Sequence, residues 1–254
     1  IPEHHPLPRI NDLYVELQGA KVYSKIDLSK GYWQIMLSPE SRHLTTTITP
    51  QGLFQYKRLP MGLTDAASVF QRIVSQTLAD FKGCIAYIDD ILIFGIDRVK
   101  HDENLRAVLH KLNDNDFRIN PQKCKFCVNE VKFLGHIISS KCIRPDPQNI
   151  EAIQNVPRPQ SAKDVRSFLG SVNYLREFIP NLSNFTEPLQ KLTRTVECPS
   201  FIWNDEAEQA FSNVKSMLTN QLKINIFDPN LPTIVSTDAS NIGLGACLAQ
   251  LDKG

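Results

Sequence analysis

The segment Tyr87-Ile88-Asp89-Asp90 sets two adjacent carboxylates between two apolar runs, Cys84-Ile85-Ala86 before and Ile91-Leu92-Ile93-Phe94 after. Both runs read as strands, which places the Asp pair at the tip of a tight hairpin. Two like charges about 4 Å apart repel by roughly 4 kcal/mol at an effective dielectric of 20, so a fold that keeps them adjacent and ionised usually supplies a cation. Mg²⁺, a hard ion that prefers carboxylate oxygens, is the natural one. An ordinary Asp-Asp turn explains the same four residues equally well, and the rest of the chain has to decide.

A chain of 254 residues with 42% hydrophobic content can bury a substantial core and form one or two domains. Its formal net charge is only +1, so any surface for nucleic acid must be built locally. No apolar run approaches the ~20 residues needed to span a bilayer, and the first residues, Ile1-Pro2-Glu3-His4-His5, do not resemble a signal segment. The missing initiator Met suggests a piece of a longer polypeptide. Cys84, Cys124, Cys127, Cys142, Cys198 and Cys247 are scattered through mostly apolar surroundings, as expected of reduced thiols in an intracellular protein. Cys124 and Cys127, followed by His136 and Cys142, match no established zinc spacing, and Val131 to Leu134 reads as a strand rather than a ligand loop.

Strands are predicted over Val22 to Leu28, with Asp27 near the end, over Tyr32 to Leu37 after the Gly31 break, and over Phe54 to Leu59. Thr64 is the candidate N-cap of a helix whose Ala66, Val69, Phe70, Ile73, Val74, Leu78 and Phe81 form one apolar face. Leu105, Val108, Leu109 and Leu112 mark a second amphipathic helix. Pro145, Pro147, Pro157 and Pro159 punctuate a linker, after which Ser161 caps a helix striped by Val165, Phe168, Leu169, Val172 and Leu175. A further helix carries Ala207, Ala210, Phe211, Val214 and Leu218. Thr233 to Thr237 reads as a strand leading to Asp238, with Gly243 and Gly245 in a turn or bulge. The fold class is thus α+β, a strand-and-helix domain with a helical unit appended.

Asp27 at a strand end and Asp89-Asp90 at a hairpin tip meet if their strands are neighbours. Three carboxylates suffice to hold two Mg²⁺ roughly 4 Å apart for in-line phosphoryl displacement, a reaction in which stabilising transition-state charge is the main task. Taken alone, Asp27 is more simply a solvated strand-end carboxylate.

Six blocks occur in order: Ser24-Lys25-Ile26-Asp27-Leu28 with Gly31-Tyr32; Gln51-Gly52-Leu53-Phe54-Gln55-Tyr56; Leu59-Pro60-Met61-Gly62-Leu63; Tyr87-Ile88-Asp89-Asp90; Asn120-Pro121 with Lys123-Cys124; and Phe133-Leu134-Gly135-His136. Through them the chain resembles the reverse transcriptases of gypsy-type long-terminal-repeat retrotransposons, relatives of the retroviral enzymes. Downstream, Ser167-Phe168-Leu169-Gly170, Asn173-Tyr174 and Phe178-Ile179-Pro180 resemble the family's thumb and the segment after it, and Thr237-Asp238-Ala239-Ser240 the opening of its ribonuclease H domain. The resemblance implies a right-hand polymerase: a four-stranded palm with partial fingers over residues 1–140, linker and helical thumb over 141–225, and the start of a ribonuclease H-like domain over 226–254.

It also implies roles. Asp27, Asp89 and Asp90 would be the catalytic metal carboxylates, for Mg²⁺ with Mn²⁺ as the alternative. Tyr32 would lie under the incoming sugar and exclude a 2′-hydroxyl, unless it is simply a half-buried strand aromatic. Met61 and Tyr87 would belong to the substrate pocket, with Met61 where the family more often has Phe. Phe133, Leu134 and Gly135 resemble the primer grip, although core packing also accounts for the first two. Lys123 is a candidate proton donor to pyrophosphate and, equally, a solvated loop lysine. Lys57-Arg58 and Lys123-Cys124-Lys125 could meet template phosphates.

The implied function is RNA-directed DNA polymerase, a nucleotidyltransferase acting on deoxynucleoside triphosphates with an RNA template and a DNA primer/template duplex. No membrane role is expected, and the location would be cytoplasmic, in a virus-like particle. The family's finger residues that touch the triphosphate precede Ile1, and Asp238 is the only ribonuclease H carboxylate within the chain. The segment alone is therefore expected to be weak or inactive. A relic that binds duplex without extending it is the competing reading.

Overall fold

A computed structural model describes residues 7–193, 201–218, 222–228, 230–240 and 243–251. The chain divides into two units, Ile1–Val131 with Ile226–Gly254, and Lys132–Asn225. In the first, helix α1 (Ile10–Val15) leads into strand β1 (Val22–Asp27), followed by β2 (Thr47–Thr49), β3 (Gly52–Phe54), α2 (Ala66–Leu78), β4 (Cys84–Tyr87), β5 (Asp90–Gly95), α3 (Arg98–Asp114) and β6 (Lys125–Val128). Four of these strands form an antiparallel sheet in the order β4-β5-β1-β6.

Alternation along the strands builds the core. Ile26 of β1 and Ile91 and Ile93 of β5 are fully buried in one cluster with Phe70, Val74 and Leu78 of α2 and Val108 and Leu112 of α3. Phe70 is buried deeply enough that truncation to Ala would cost about 3–5 kcal/mol. The α2 face follows the predicted stripe, but its N-cap is Asp65 rather than Thr64.

Two predicted strands are not strands. Lys30 and Gly31 take consecutive left-handed conformations (φ 61° and 44°). They turn the chain out of the extended state, and Gly31–Gln34 forms a 3-10 helix instead. Gln34 then staples this segment, donating to the Ser29 and Arg118 carbonyls and accepting from the Arg118 N–H. Beyond β3, the only ladder pairing among the described residues left to the predicted Phe54 to Leu59 strand is an isolated Met36–Arg58 bridge. The Tyr56 N–H bonds the Thr45 hydroxyl instead of a neighbouring strand.

The second unit's sheet holds β7 (Glu130–Phe133), β8 (His136–Ser139), β9 (Cys142–Pro145) and the short β10 (Ile224–Asn225), in the order β10-β9-β8-β7. Its helices are α4 (Pro147–Gln154), α5 (Ala162–Asn173), α6 (Leu182–Lys191) and α7 (Asp205–Met217). The predicted proline linker thus contains a helix. Asp146 caps it by accepting from the Gln148 N–H, and Pro147 occupies the first turn, where no N–H is needed. Ser161 caps α5 as expected, accepting from the Asp164 N–H. Helix α6 escaped the sequence reading because Pro188 sits inside it.

Strands β11 (Thr233–Ser240) and β12 (Gly243–Gln250) pair in unbroken register, with Asp238 opposite Gly245. Gly243 and Gly245 are therefore strand residues, not the predicted turn or bulge. Among the described residues no helix is long and apolar enough to cross a membrane. The five described cysteines are free thiols, and Cys198 lies outside the described residues.

Candidate active site

The carboxylates come together through register. Strand β1 runs antiparallel to β5 with Asp27 directly opposite Asp90, and β4 pairs with β5 so that Tyr87 also faces Asp90. Ile88 and Asp89 form the two-residue turn between β4 and β5. Ile88 has φ 53°, a left-handed conformation that is strained for a β-branched side chain. The turn is held from two sides. Buried Gln71 of α2 donates to the Ala86 carbonyl (2.9 Å) and accepts from the Ile88 N–H (2.6 Å). The Asp89 carbonyl accepts from the Leu28 N–H at 2.9 Å.

The three carboxylates are not equivalent. Asp27 and Asp89 line a cleft of about 270 Å³ together with Tyr32, Met61, Asn120 and Lys123. Asp90 instead forms an ion pair with Lys25 at 2.9 Å, both side chains being about one-fifth exposed. Burial pushes the Asp90 carboxyl up, Lys25 opposes that shift, and the charges of Asp89 and Asp27 add to it. Lys25 carries no sequence signal of its own. It lies two positions before Asp27, on the same strand face.

Tyr32 stands in the 3-10 helix with its ring edge-on to Phe70, centroids 5.3 Å apart. Burial raises its phenol pKa, and the charge of Asp89 adds to the shift. Met61 is mostly exposed and presents an apolar wall to the cleft. The Lys123 ammonium lies 3.9 Å from the Asp27 carboxylate on a largely exposed side chain. Arg58 donates to the Trp33 and Gln34 carbonyls and so braces the Tyr32 segment.

In the second unit, Phe133 is fully buried, and Leu134 and Gly135 form the β7–β8 turn with φ of 47° and 71°. The Tyr174 hydroxyl donates to the Leu134 carbonyl, and a Cβ at Gly135 would collide with that hydroxyl. Glycine is required there both for its conformation and for space. Asp238 lies on β11 with its side chain exposed.

Sequence reasoning missed Gln71 and Lys25. Gln71 was detectable as a polar residue beside Phe70 on the buried face of α2. Lys25 was not detectable before the register was known.

The geometry agrees with comparisons to known proteins. Residues 2–138 match the family model for reverse transcriptase (RNA-dependent DNA polymerase), and residues 203–254 match the RNase H-like domain found in reverse transcriptase. The chain is 35% identical over 251 residues to the transposon Tf2-3 polyprotein of Schizosaccharomyces pombe, and 34% identical over 254 residues to the retrovirus-related Pol polyprotein from transposon 297 of Drosophila melanogaster. These alignments take in 98% of this chain but only 19% and 24% of the two polyproteins. Among solved structures, a foamy viral protease-reverse transcriptase in complex with double-stranded DNA superposes with a TM-score of 0.87 at 25% identity, over 98% of this chain and 44% of the viral one. A carboxylate-bearing antiparallel sheet and a family match over more than half its length lead to one conclusion: the chain belongs to the reverse transcriptase family of RNA-dependent DNA polymerases.

Proposed function

We propose that this chain is the polymerase portion of a gypsy-type long-terminal-repeat retrotransposon Pol polyprotein, extending a DNA primer on an RNA or DNA template by nucleotidyl transfer, followed by the start of a ribonuclease H-like segment. The observation that carries this reading is the register of Asp27 opposite Asp90, with Asp89 at the adjoining turn and a cleft beside it. The six ordered blocks and the two transposon relatives support the subclass. The foamy viral relatives are held with double-stranded DNA and with an RNA/DNA hybrid, the two duplexes that a reverse transcriptase makes in succession.

Three carboxylates at the ends of neighbouring strands, with burial and mutual repulsion both resisting the charge on Asp90, form a donor set of hard oxygens that fits Mg²⁺. Asp27, Asp89 and Asp90 would hold it, and when bound it would acidify the primer 3′-hydroxyl and neutralise charge on the leaving pyrophosphate. The chain's own groups do the remaining work. Lys25 fixes the rotamer of Asp90, Tyr32 offers a ring for the sugar, and Lys123 can give a proton to pyrophosphate as it departs.

Primer extension by a polypeptide carrying this chain tests the assignment. Asp27→Asn and Asp89→Asn should each abolish Mg²⁺-dependent extension while leaving duplex affinity nearly unchanged. Wild-type rates in either variant would remove the carboxylates from the chemistry. Tight duplex binding with no extension by the parent would identify a relic.

A further inference from the structure

On the opposite face of the same sheet, three ligand-type side chains converge that the polymerase site does not use. His101, Asp102 and Cys127 place one donor atom each within 4.8 Å of one another. The separations are 2.9 Å between His101 Nδ1 and Asp102 Oδ1, 3.9 Å between Cys127 Sγ and His101 Nδ1, and 3.7 Å between Cys127 Sγ and Asp102 Oδ1. Bonds of about 2.0, 2.0 and 2.3 Å from zinc to N, O and S, at tetrahedral angles, put such atoms roughly 3.3–3.6 Å apart. The cluster is within a few tenths of an ångström of that arrangement.

The backbone directs these groups inward. His101 opens the buried stripe of α3, ahead of Val108 and Leu112, and is fully buried. The end of β5 approaches it so closely that a Cβ on Gly95 would collide with the His101 backbone. Cys127 sits in an irregularity of the β1–β6 ladder: between the Lys25–Lys125 and Tyr23–Val128 pairs, two residues on β6, Phe126 and Cys127, oppose one on β1, Ser24. Its φ is 55°, a conformation that costs a non-glycine residue of order 1 kcal/mol or more. Bulges of this kind re-aim a side chain, and here the thiol turns toward α3.

His101 and Asp102 also have the outer partners that metal sites use, and Cys127 is anchored through its backbone. His101 Nε2 lies 2.9 Å from the buried Ser24 Oγ, which in turn accepts the Cys127 N–H at 2.9 Å. Asp102 turns Oδ1 to the cluster while Oδ2 accepts from Arg98 Nε at 2.9 Å. We propose that His101 Nδ1, Asp102 Oδ1 and Cys127 Sγ form a zinc site, with a fourth position open to solvent past the half-exposed Asp102. The mixed N, O and S donor set favours this borderline ion over Mg²⁺. On binding, the Cys127 thiol releases its proton to solvent, the imidazole proton resides on Nε2 facing Ser24 Oγ, and Nδ1 gives its lone pair to the metal. The site would tie α3 to β6 behind the catalytic strand β1.

The test uses the full chain, reduced and stripped of metal, with Zn²⁺ or Co²⁺ as the only probe. Wild type should keep a single equivalent of zinc through desalting, rise in thermal midpoint with added Zn²⁺, and give with Co²⁺ a thiolate-to-metal charge-transfer band. That band requires a thiolate, so binding at His4-His5 cannot produce it. Cys127→Ala should lose the band and weaken zinc by about 100-fold or more, and Asp102→Asn should also weaken it. A Cys198→Ser/Cys247→Ser double variant should behave as wild type. Because Cys127 is partly exposed, Cys127→Ala should fold, which circular dichroism checks directly. No retained zinc and no band in folded wild type, or an unchanged band in Cys127→Ala, would overturn the site and leave the cluster a hydrogen-bonded anchor.

Discussion

At the residue scale, Tyr32 offers the sharpest test of nucleotide choice. Its ring shares the cleft with Asp89 and leans edge-on against Phe70. If the ring fills the volume that a ribose 2′-hydroxyl needs, Tyr32→Ala or Tyr32→Val should raise the ratio of kcat/KM for ribonucleotides over deoxynucleotides and lower the overall rate. An equal loss on both nucleotide types would make Tyr32 a structural aromatic. Single residues were legible in the sequence where the chemistry was local. Asp89 and Asp90 are neighbours, and their charge alone demanded an explanation. Lys25 was illegible because its partner, Asp90, is 65 positions away and is supplied only by strand register.

At the element scale, α2 does more than cover the sheet. Through Gln71 it holds the β4–β5 turn at both the Ala86 carbonyl and the Ile88 N–H, restraining a backbone that Ile88 would not adopt unaided. Gln71→Leu keeps the volume but leaves both backbone groups unsatisfied, and should cost about 1–3 kcal/mol in a denaturant titration. Extension should slow as well, because Asp89 sits in that turn. An unchanged midpoint would show that the glutamine is dispensable to the turn. Long periodic elements such as α2, α3 and α5 were readable from their stripes. The Tyr32 segment was misread because its fate was decided one residue earlier, where Lys30 and Gly31 turn left-handed. The proline-rich stretch was misread because Pro147 occupies the one helical turn that tolerates it.

At the scale of the whole molecule, acid should weaken the second unit through His136. The imidazole is buried, stacked on Tyr174 at 5.3 Å and packed against Phe178, and burial holds its pKa below the ordinary value. A histidine lowered by folding contributes stability that is full above its unfolded pKa of about 6.5 and is lost as pH falls from there toward the folded value. Wild type should therefore lose more stability than His136→Phe between about pH 7.5 and 5. Parallel curves for the two proteins would exclude this histidine as the cause. Strand β1 has a wider consequence. Ser24 and Ile26 face the helices while Lys25 and Asp27 face the carboxylate side, so the strand's two faces meet two different surroundings. Loss of one codon within it would keep the reading frame and nearly every residue, yet a slip of one position would drive a carboxylate into the core and an isoleucine out of it. The β2–β3 ribbon, whose Ile48, Leu53 and Phe54 are all exposed, has no such faces to exchange. Small in-frame deletions should thus be tolerated in the ribbon and not in the central strand, which the yield of folded protein from the two kinds of deletion variant checks directly.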